Sequence, residues 1–498
     1  MTKKSVYLIL FLSFWGLTQI TAQELSLASN SEVTTQHQVT VKGNLIAYSA
    51  TTGTQPVWGE DGKEIAYLHY TYYKRNGQKS YDERPLLISF NGGPGSASVW
   101  MHLAYTGPRI LNIDDEGYPV QPYGFKENPY SVLDVCDIIY VNPVNTGYSR
   151  TIPLTGKDVD KTKFFGINAD IKYLAEWINT FVTRAGRWPS PKYLIGESYG
   201  GTRVAGLALE LQNKQWMYLN GVILVSPADY KVLRQDNPVS DALNIPYYAA
   251  SAWYHKKLPP DLQSKDLEEI LPEVEKFAIE EAIPTFVTAG FTEIAKKREM
   301  AHKLARYTGL SYDDFMENNL VVSPSYFWKH LLKDSMGYNV GRLDSRYLGI
   351  DKKLSGSSPD YNAELTSWLH SFTPAINHYF RTELNFKTDV KYNMFGDVSP
   401  WNNENDNTRD NLRQAMAQNP YLKVLFQSGY YDGATTYFNA KYTMWQLDPS
   451  GRFKDRMSFK GYRSGHMMYL RKEDLAKSTD DLRQFILGSQ SGGKPAKY

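Results

Sequence analysis

Tyr193-Leu194-Ile195-Gly196-Glu197-Ser198-Tyr199-Gly200-Gly201 is the stretch on which the reading of this chain turns. Three apolar or aromatic residues run into Gly-x-Ser-x-Gly, and Thr202 to Leu211 follow with a helical look. The predicted order is strand, sharp turn, helix, with Ser198 at the apex. Such a turn lifts a serine oxygen clear of a sheet, and glycines on either side let strand and helix approach closely. The same pattern fits an ordinary glycine-rich turn, and the surroundings decide between the two.

Upstream, Pro85 to Phe90 is a short apolar run that reads as a buried parallel strand. It leads into Asn91-Gly92-Gly93-Pro94-Gly95, a loop few side chains could occupy. Asp137 to Val141 predicts a second buried strand, and Gly221 to Val225 a third. Between them Ile171, Leu174, Trp177, Ile178 and Phe181 keep helical spacing. Strands alternating with helices predict an α/β fold with a mostly parallel sheet. Earlier still, Val39 to Tyr73 alternates apolar and polar residues, with turn signals at Gly43, Gly53 and Gly62, and predicts antiparallel strands. Arg75-Asn76-Gly77-Gln78 reads as a further hairpin-like turn.

After Ala228 the pattern changes. Residues 229–395 show helical segments over 261–282, 292–307, 312–319, 325–333 and 362–382, which predict a mainly helical cap inserted in the α/β core. The α/β pattern resumes at Tyr421 to Gln427. The domain reading is therefore a core formed by 23–228 and 396–490, a cap at 229–395 and a loose tail at 491–498. Residues 1–22 read as a cleaved secretory signal: Lys3 and Lys4, an apolar run from Val6 to Leu17, then Ile20-Thr21-Ala22 before the cut. That run is short for a membrane span, so no stable membrane anchor is expected. A secreted or periplasmic location follows.

The 498 residues include 37 Tyr and 11 Trp, and suffice for a large core. Losing Lys3 and Lys4 with the signal brings the 55 basic residues level with the 53 acidic ones. No basic run suits nucleic acid. The only cysteine, Cys136, lies in an apolar run and reads as a buried thiol.

A serine hydroxyl near neutral pH needs a base, and the base needs an orienting carboxylate. In sheets with a serine elbow the chain order is Ser, Asp or Glu, His. Asp432 follows a predicted strand in Ser428-Gly429-Tyr430-Tyr431-Asp432-Gly433, and His466 follows the last strand-like run in Arg463-Ser464-Gly465-His466. Of nine histidines, His466 alone lies downstream of Asp432. No pair has zincin spacing, so no metal site and no cofactor are expected. The backbone N–H groups of Tyr199 and Gly93 suit an oxyanion hole, which needs two aimed donors.

Together these blocks, with Gly465-His466-Met467 and Asn142-Pro143-Val144-Asn145-Thr146-Gly147-Tyr148-Ser149, resemble the serine carboxypeptidase family, peptidase family S10. The resemblance implies an α/β-hydrolase fold with a helical cap, and release of C-terminal amino acids from peptide substrates. It implies Ser198 as nucleophile, Asp432 as orienter and His466 as base. Asn91, Gly92 and Glu197 would then bind the terminal carboxylate of the peptide. The family's tryptophan two residues before the asparagine is Ser89 here, and its second glutamate is Tyr105. A weaker or less acid-dependent preference for a free C-terminus is expected, with the Tyr105 hydroxyl available as a donor to the substrate carboxylate. The family's usual proline after His-Met-Val is Tyr469, read as a minor change. Two rival functions remain open at this point: esterase or acyltransferase chemistry with the same triad, and a non-catalytic binding protein on the same scaffold.

Overall fold

Leu86–Phe90 is buried at all five positions, as a strand covered on both faces must be. In the computed structural model, which describes residues 25–153, 159–228, 237–404 and 407–496, this strand sits near the middle of a ten-stranded sheet. Its main path is built from β1 (Ser31–Val41), β2 (Asn44–Trp58), β3 (Glu64–Arg75), β4 (Leu86–Phe90), β5 (Asp137–Val141), β6 (Lys192–Glu197), β7 (Gly221–Val225), β8 (Lys423–Gly429) and β9 (Met457–Tyr462). The spatial order is β1-β2-β3-β5-β4-β6-β7-β8-β9. The first three strands and the β3–β5 pair are antiparallel. From β5 to β9 every pair is parallel.

The side-chain alternation of a strand divides the core in two. Ile138, Ile195, Ile223 and Leu425 face one hydrophobic cluster. Their neighbours Ile139, Leu194, Val222 and Val424 face the other. Helices Ile167–Arg184 and Tyr199–Lys214 close the second face with Leu174, Trp177, Val204 and Leu211. Helix Lys472–Gly488 closes the first with Leu475, Leu482 and Ile486. This is the α/β-hydrolase architecture.

Between β7 and β8 the described residues are mostly helical. Leu267–Phe277, Ile294–Thr308, Tyr312–Glu317 and Pro324–His330 share a third cluster with Ile245–Tyr254. Local chemistry sets their ends. Ser311 and Asp314 form a capping box, and Gly309 ends its helix in the left-handed region at φ 73°. Helix Ala363–Thr382 lies against the first sheet cluster through Trp368, Phe372 and Tyr379.

Three features depart from the sequence reading. Arg75–Gln78 does not close a hairpin, because β3 pairs with β2 and β5 while β4 pairs with β5 and β6. Helix Ile245–Tyr254 gave no helical period, since eight of its ten residues, Ile245 to Ala252, are buried. Helix Lys472–Gly488 was not anticipated. The signal reading at 1–22 and the boundary at 229 lie outside the described residues. Among the described residues no helix is long and apolar enough to cross a membrane.

Candidate active site

Ser198 stands between β6 and helix Tyr199–Lys214 with φ 59° and ψ −126°, a strained backbone for a residue with a Cβ. The turn is pinned on both sides. Ser198 N–H donates to Val225 O at 3.0 Å, and its carbonyl accepts from Gly201 N–H at 2.8 Å and Ala228 N–H at 3.1 Å. The close approach needs glycine: a Cβ on Gly196 would lie 2.0 Å from Gly200 O. One on Gly92 would lie 2.5 Å from Tyr199 N, so the loop after β4 touches the elbow.

Asp432 and His466 meet beside it. His466 Nδ1 donates to Asp432 Oδ2 at 2.7 Å, which leaves Nε2 as the acceptor. The other carboxylate oxygen, Oδ1, accepts from Ala434 N–H at 2.9 Å and Thr435 N–H at 3.1 Å. Thr435 Oγ1 also lies 2.6 Å from Asp432 Oδ2, and the aspartate is fully buried. Burial opposes the imidazolium of His466, but the charge and hydrogen bond of Asp432 outweigh it and hold the pKa above its ordinary value.

A second set of polar groups surrounds Glu197. Asn91 Nδ2 donates to Glu197 Oε1 at 2.9 Å, and the Tyr469 hydroxyl donates to Oε2. The Asn91 amide is itself oriented, since its Oδ1 accepts from Met101 N–H at 3.2 Å. Burial pushes the Glu197 carboxyl up to about 7, against the pull of His466, Tyr469 and Asn91. Arg203 was missed by sequence reasoning. It lies one helical turn beyond the elbow, fully buried, with Nε on Asp170 at 2.7 Å and Nη1 on Asn91 O at 2.6 Å. By taking that carbonyl it fixes the backbone of the glycine loop.

Gly92, Gly93, Glu197, Ser198 and His466 line one cleft of about 210 Å³, walled by Trp100, Trp368 and Phe395. The sequence-predicted residues are thus brought to one place: Ser198, Gly93 and His466 on its surface, with Asp432, Asn91 and Tyr199 directly behind. Among the described residues no group of three or more His, Cys, Asp or Glu side chains could hold a metal ion.

Residues 58–460 match the family model for serine carboxypeptidases of the S10 type. The chain belongs to the serine carboxypeptidase family. A curated relative, serine carboxypeptidase-like 36 of Arabidopsis thaliana, is 29% identical over 170 residues, covering 33% of either chain. Serine carboxypeptidase-like 38 of the same plant is 25% identical over 312 residues, 60% of this chain and 61% of that one. The first curated relatives are thus matched over about a third of their length. The crystal structure of the prohormone-processing carboxypeptidase KEX1(Δ)P from Saccharomyces cerevisiae superposes with a TM-score of 0.51 and 14% identity, covering 88% of this chain and 91% of that one.

Against the serine carboxypeptidase pattern, two expectations need correction. Tyr105 does not reach the cleft: it is fully buried and donates to Gln427 Oε1 at 2.8 Å. Its ring instead stacks on Tyr469, with centroids 4.7 Å apart. The partner that Glu197 finds is Tyr469, which had been read as a minor change. Ser89 is also fully buried and lines no part of the cleft. The sequence reading of Cys136 as a buried thiol holds. Cys136 is buried, which pushes its thiol pKa up. His102 is buried and stacked on Tyr140.

Proposed function

We propose that this chain is a serine-type hydrolase that releases C-terminal amino acids from peptides. One observation supports this most: a strained serine, an Asp–His hydrogen bond and a buried Asn–Glu–Tyr cluster converge on a single cleft. Ser198 Oγ attacks the scissile carbonyl while His466 Nε2 takes its proton. The oxyanion faces the N–H groups of Gly93 and Tyr199. His466 then hands the proton to the departing amine, and water, activated by the same imidazole, frees the acyl group from Ser198. Asn91, Gly92 and Glu197 receive the terminal carboxylate, with Glu197 protonated below about pH 7 as the hydrogen-bond donor.

Digestion of a peptide library, read by mass spectrometry, tests this. Wild type should remove single residues from the C-terminus, and Ser198→Ala should lose at least about 10⁴-fold of that activity. Internal cleavage, or trimming that survives in Ser198→Ala, would overturn the reading. Turnover of blocked esters without release from free peptides would assign the machinery to ester or acyl-transfer chemistry. The amino-terminal pattern supports export with removal of residues 1–22. Sequencing the mature protein should give Gln23 or Glu24 first, and a retained Lys3-Lys4 segment would refute export by this signal.

A further inference from the structure

Arg342 also lines the cleft, and among the described residues it is the only Lys or Arg side chain that does so. Its side chain is exposed, and no salt bridge holds its guanidinium among the described residues, although its charge acts on Glu364 and His466. Three buried arginines are each paired with an acid, Arg187 with Asp137, Arg203 with Asp170 and Arg346 with Asp344, whereas Arg342 stands at the cleft without such an ion pair among the described residues.

The backbone beneath Arg342 is built with care. Gly433 N–H donates to Arg342 O at 3.0 Å, tying it to the loop that carries Asp432. His466 N–H donates to Leu343 O at 2.6 Å, tying the next residue to the other half of the pair. Leu343 N–H donates to Glu364 Oε1 at 2.8 Å, which anchors the strap to helix Ala363–Thr382. Three elements therefore fix where the Arg342 side chain starts, and no hydrogen bond among the described residues holds its charged end. Glu364 lies beneath the strap: its Oε1 accepts from the Leu343 amide, its Oε2 has no hydrogen-bond partner, and its carboxylate is the acid that the Arg342 charge acts on.

We infer that Arg342 is a specificity residue that binds a carboxylate on the leaving half of the substrate. This rests on the proposed reaction, in which the departing residue occupies the cleft that Arg342 lines together with His466 and Glu197. Among the described residues the only other ionisable side chains lining the cleft are His466 and Glu197 itself. A guanidinium presents donors in a fixed fork that matches a carboxylate. Two sources could supply the anion: the terminal α-carboxylate, or the side chain of a departing Asp or Glu.

The test compares blocked dipeptides ending in Glu or Gln, each as free acid and as amide, on wild type, Arg342→Gln and Arg342→Lys. With Arg342→Gln, the ratio of KM for carboxylate-bearing over carboxylate-free substrates should rise about tenfold, the scale of a hydrogen bond to a charged group, with kcat little changed. Arg342→Lys should recover part of it. A rise shared by both free acids assigns the α-carboxylate, and a rise confined to Glu assigns the side chain. An unchanged ratio in both comparisons overturns the inference. Should wild type cleave esters but release no residue from peptides, the proposed reaction fails on its own. Esters whose alcohol half carries a carboxylate or its methyl ester then apply the same ratio to Arg342.

Discussion

Asp432→Asn should lower kcat by about 10⁴-fold on peptide and ester substrates alike, with KM little changed. The size follows from which atom the asparagine must present to His466. Oδ1 of Asp432 accepts two backbone N–H groups, from Ala434 and Thr435, and those amides can only face an oxygen. The asparagine NH₂ is thereby forced toward His466 Nδ1. That nitrogen must then become an acceptor, and the ring proton moves to Nε2, where it faces Ser198 as a donor instead of a base. The geometry survives while the tautomer is wrong. Because Asp432 raises the His466 pKa, its loss should also move the acid limb of the residual activity to lower pH. Steady-state kinetics against pH checks both effects. A loss below about tenfold would mean that Asp432 does not orient the base.

Ser198 and Asp432 were legible because each follows a strand whose apolar run marks it, and His466 because it is the one histidine beyond Asp432 and follows a strand-like segment. The sheet then delivers all three to its carboxyl edge. The same logic exposed the Asn91 loop. Tyr469 was not legible, because its meaning depends on Glu197, 272 residues away, and no local pattern links them. Position in the family pattern pointed to Tyr105 instead. Stacked rings bring Tyr105 and Tyr469 side by side, so the neighbourhood was right and the hydroxyl wrong. Arg203 carried a weak signal: an arginine on a helix otherwise packed into the core implies a buried acid, here Asp170.

The sheet was readable wherever burial differs between faces or is total. β1 alternates along most of its length, and β4, β5 and β7 are buried throughout. What failed was pairing. The Asn-Gly turn after β3 looked like a hairpin, but the partner of β3 arrives more than 60 residues later as β5. Turn chemistry reports a local reversal and says nothing of which strand lies alongside. Likewise Ile245–Tyr254 is apolar all round because the insertion buries it, which erases the period that marks a surface helix.

Glu197→Gln should stabilise the protein above pH 7, by about 3 kcal/mol, while removing a pH dependence from catalysis. Burial raises the folded pKa of Glu197 to about 7, above the usual carboxylate range near 4.5. Between those values the folded state holds a proton that the unfolded chain has lost. The stability contributed by the protonated carboxyl is therefore full below the lower value and is lost as pH rises through the higher one. Glutamine carries no charge to bury, so thermal melting of the variant should decline less than wild type over this range, the remaining decline belonging to groups such as Glu364, whose carboxyl burial also pushes up to about 7. The same ionisation governs substrate. Above pH 7 a Glu197 carboxylate repels a terminal carboxylate, and kcat/KM for free-acid peptides should fall about tenfold per pH unit. Blocked esters should show no such limb, and neither should Glu197→Gln on any substrate. Tyr469→Phe separates the two partners. Its hydroxyl favours the ionised carboxyl, so removing it should move the falling limb up by about one pH unit, the scale of a hydrogen bond to a charged group. A limb that stays in place in Tyr469→Phe would show that Tyr469 leaves the Glu197 proton untouched. One that persists in Glu197→Gln would assign it to another group.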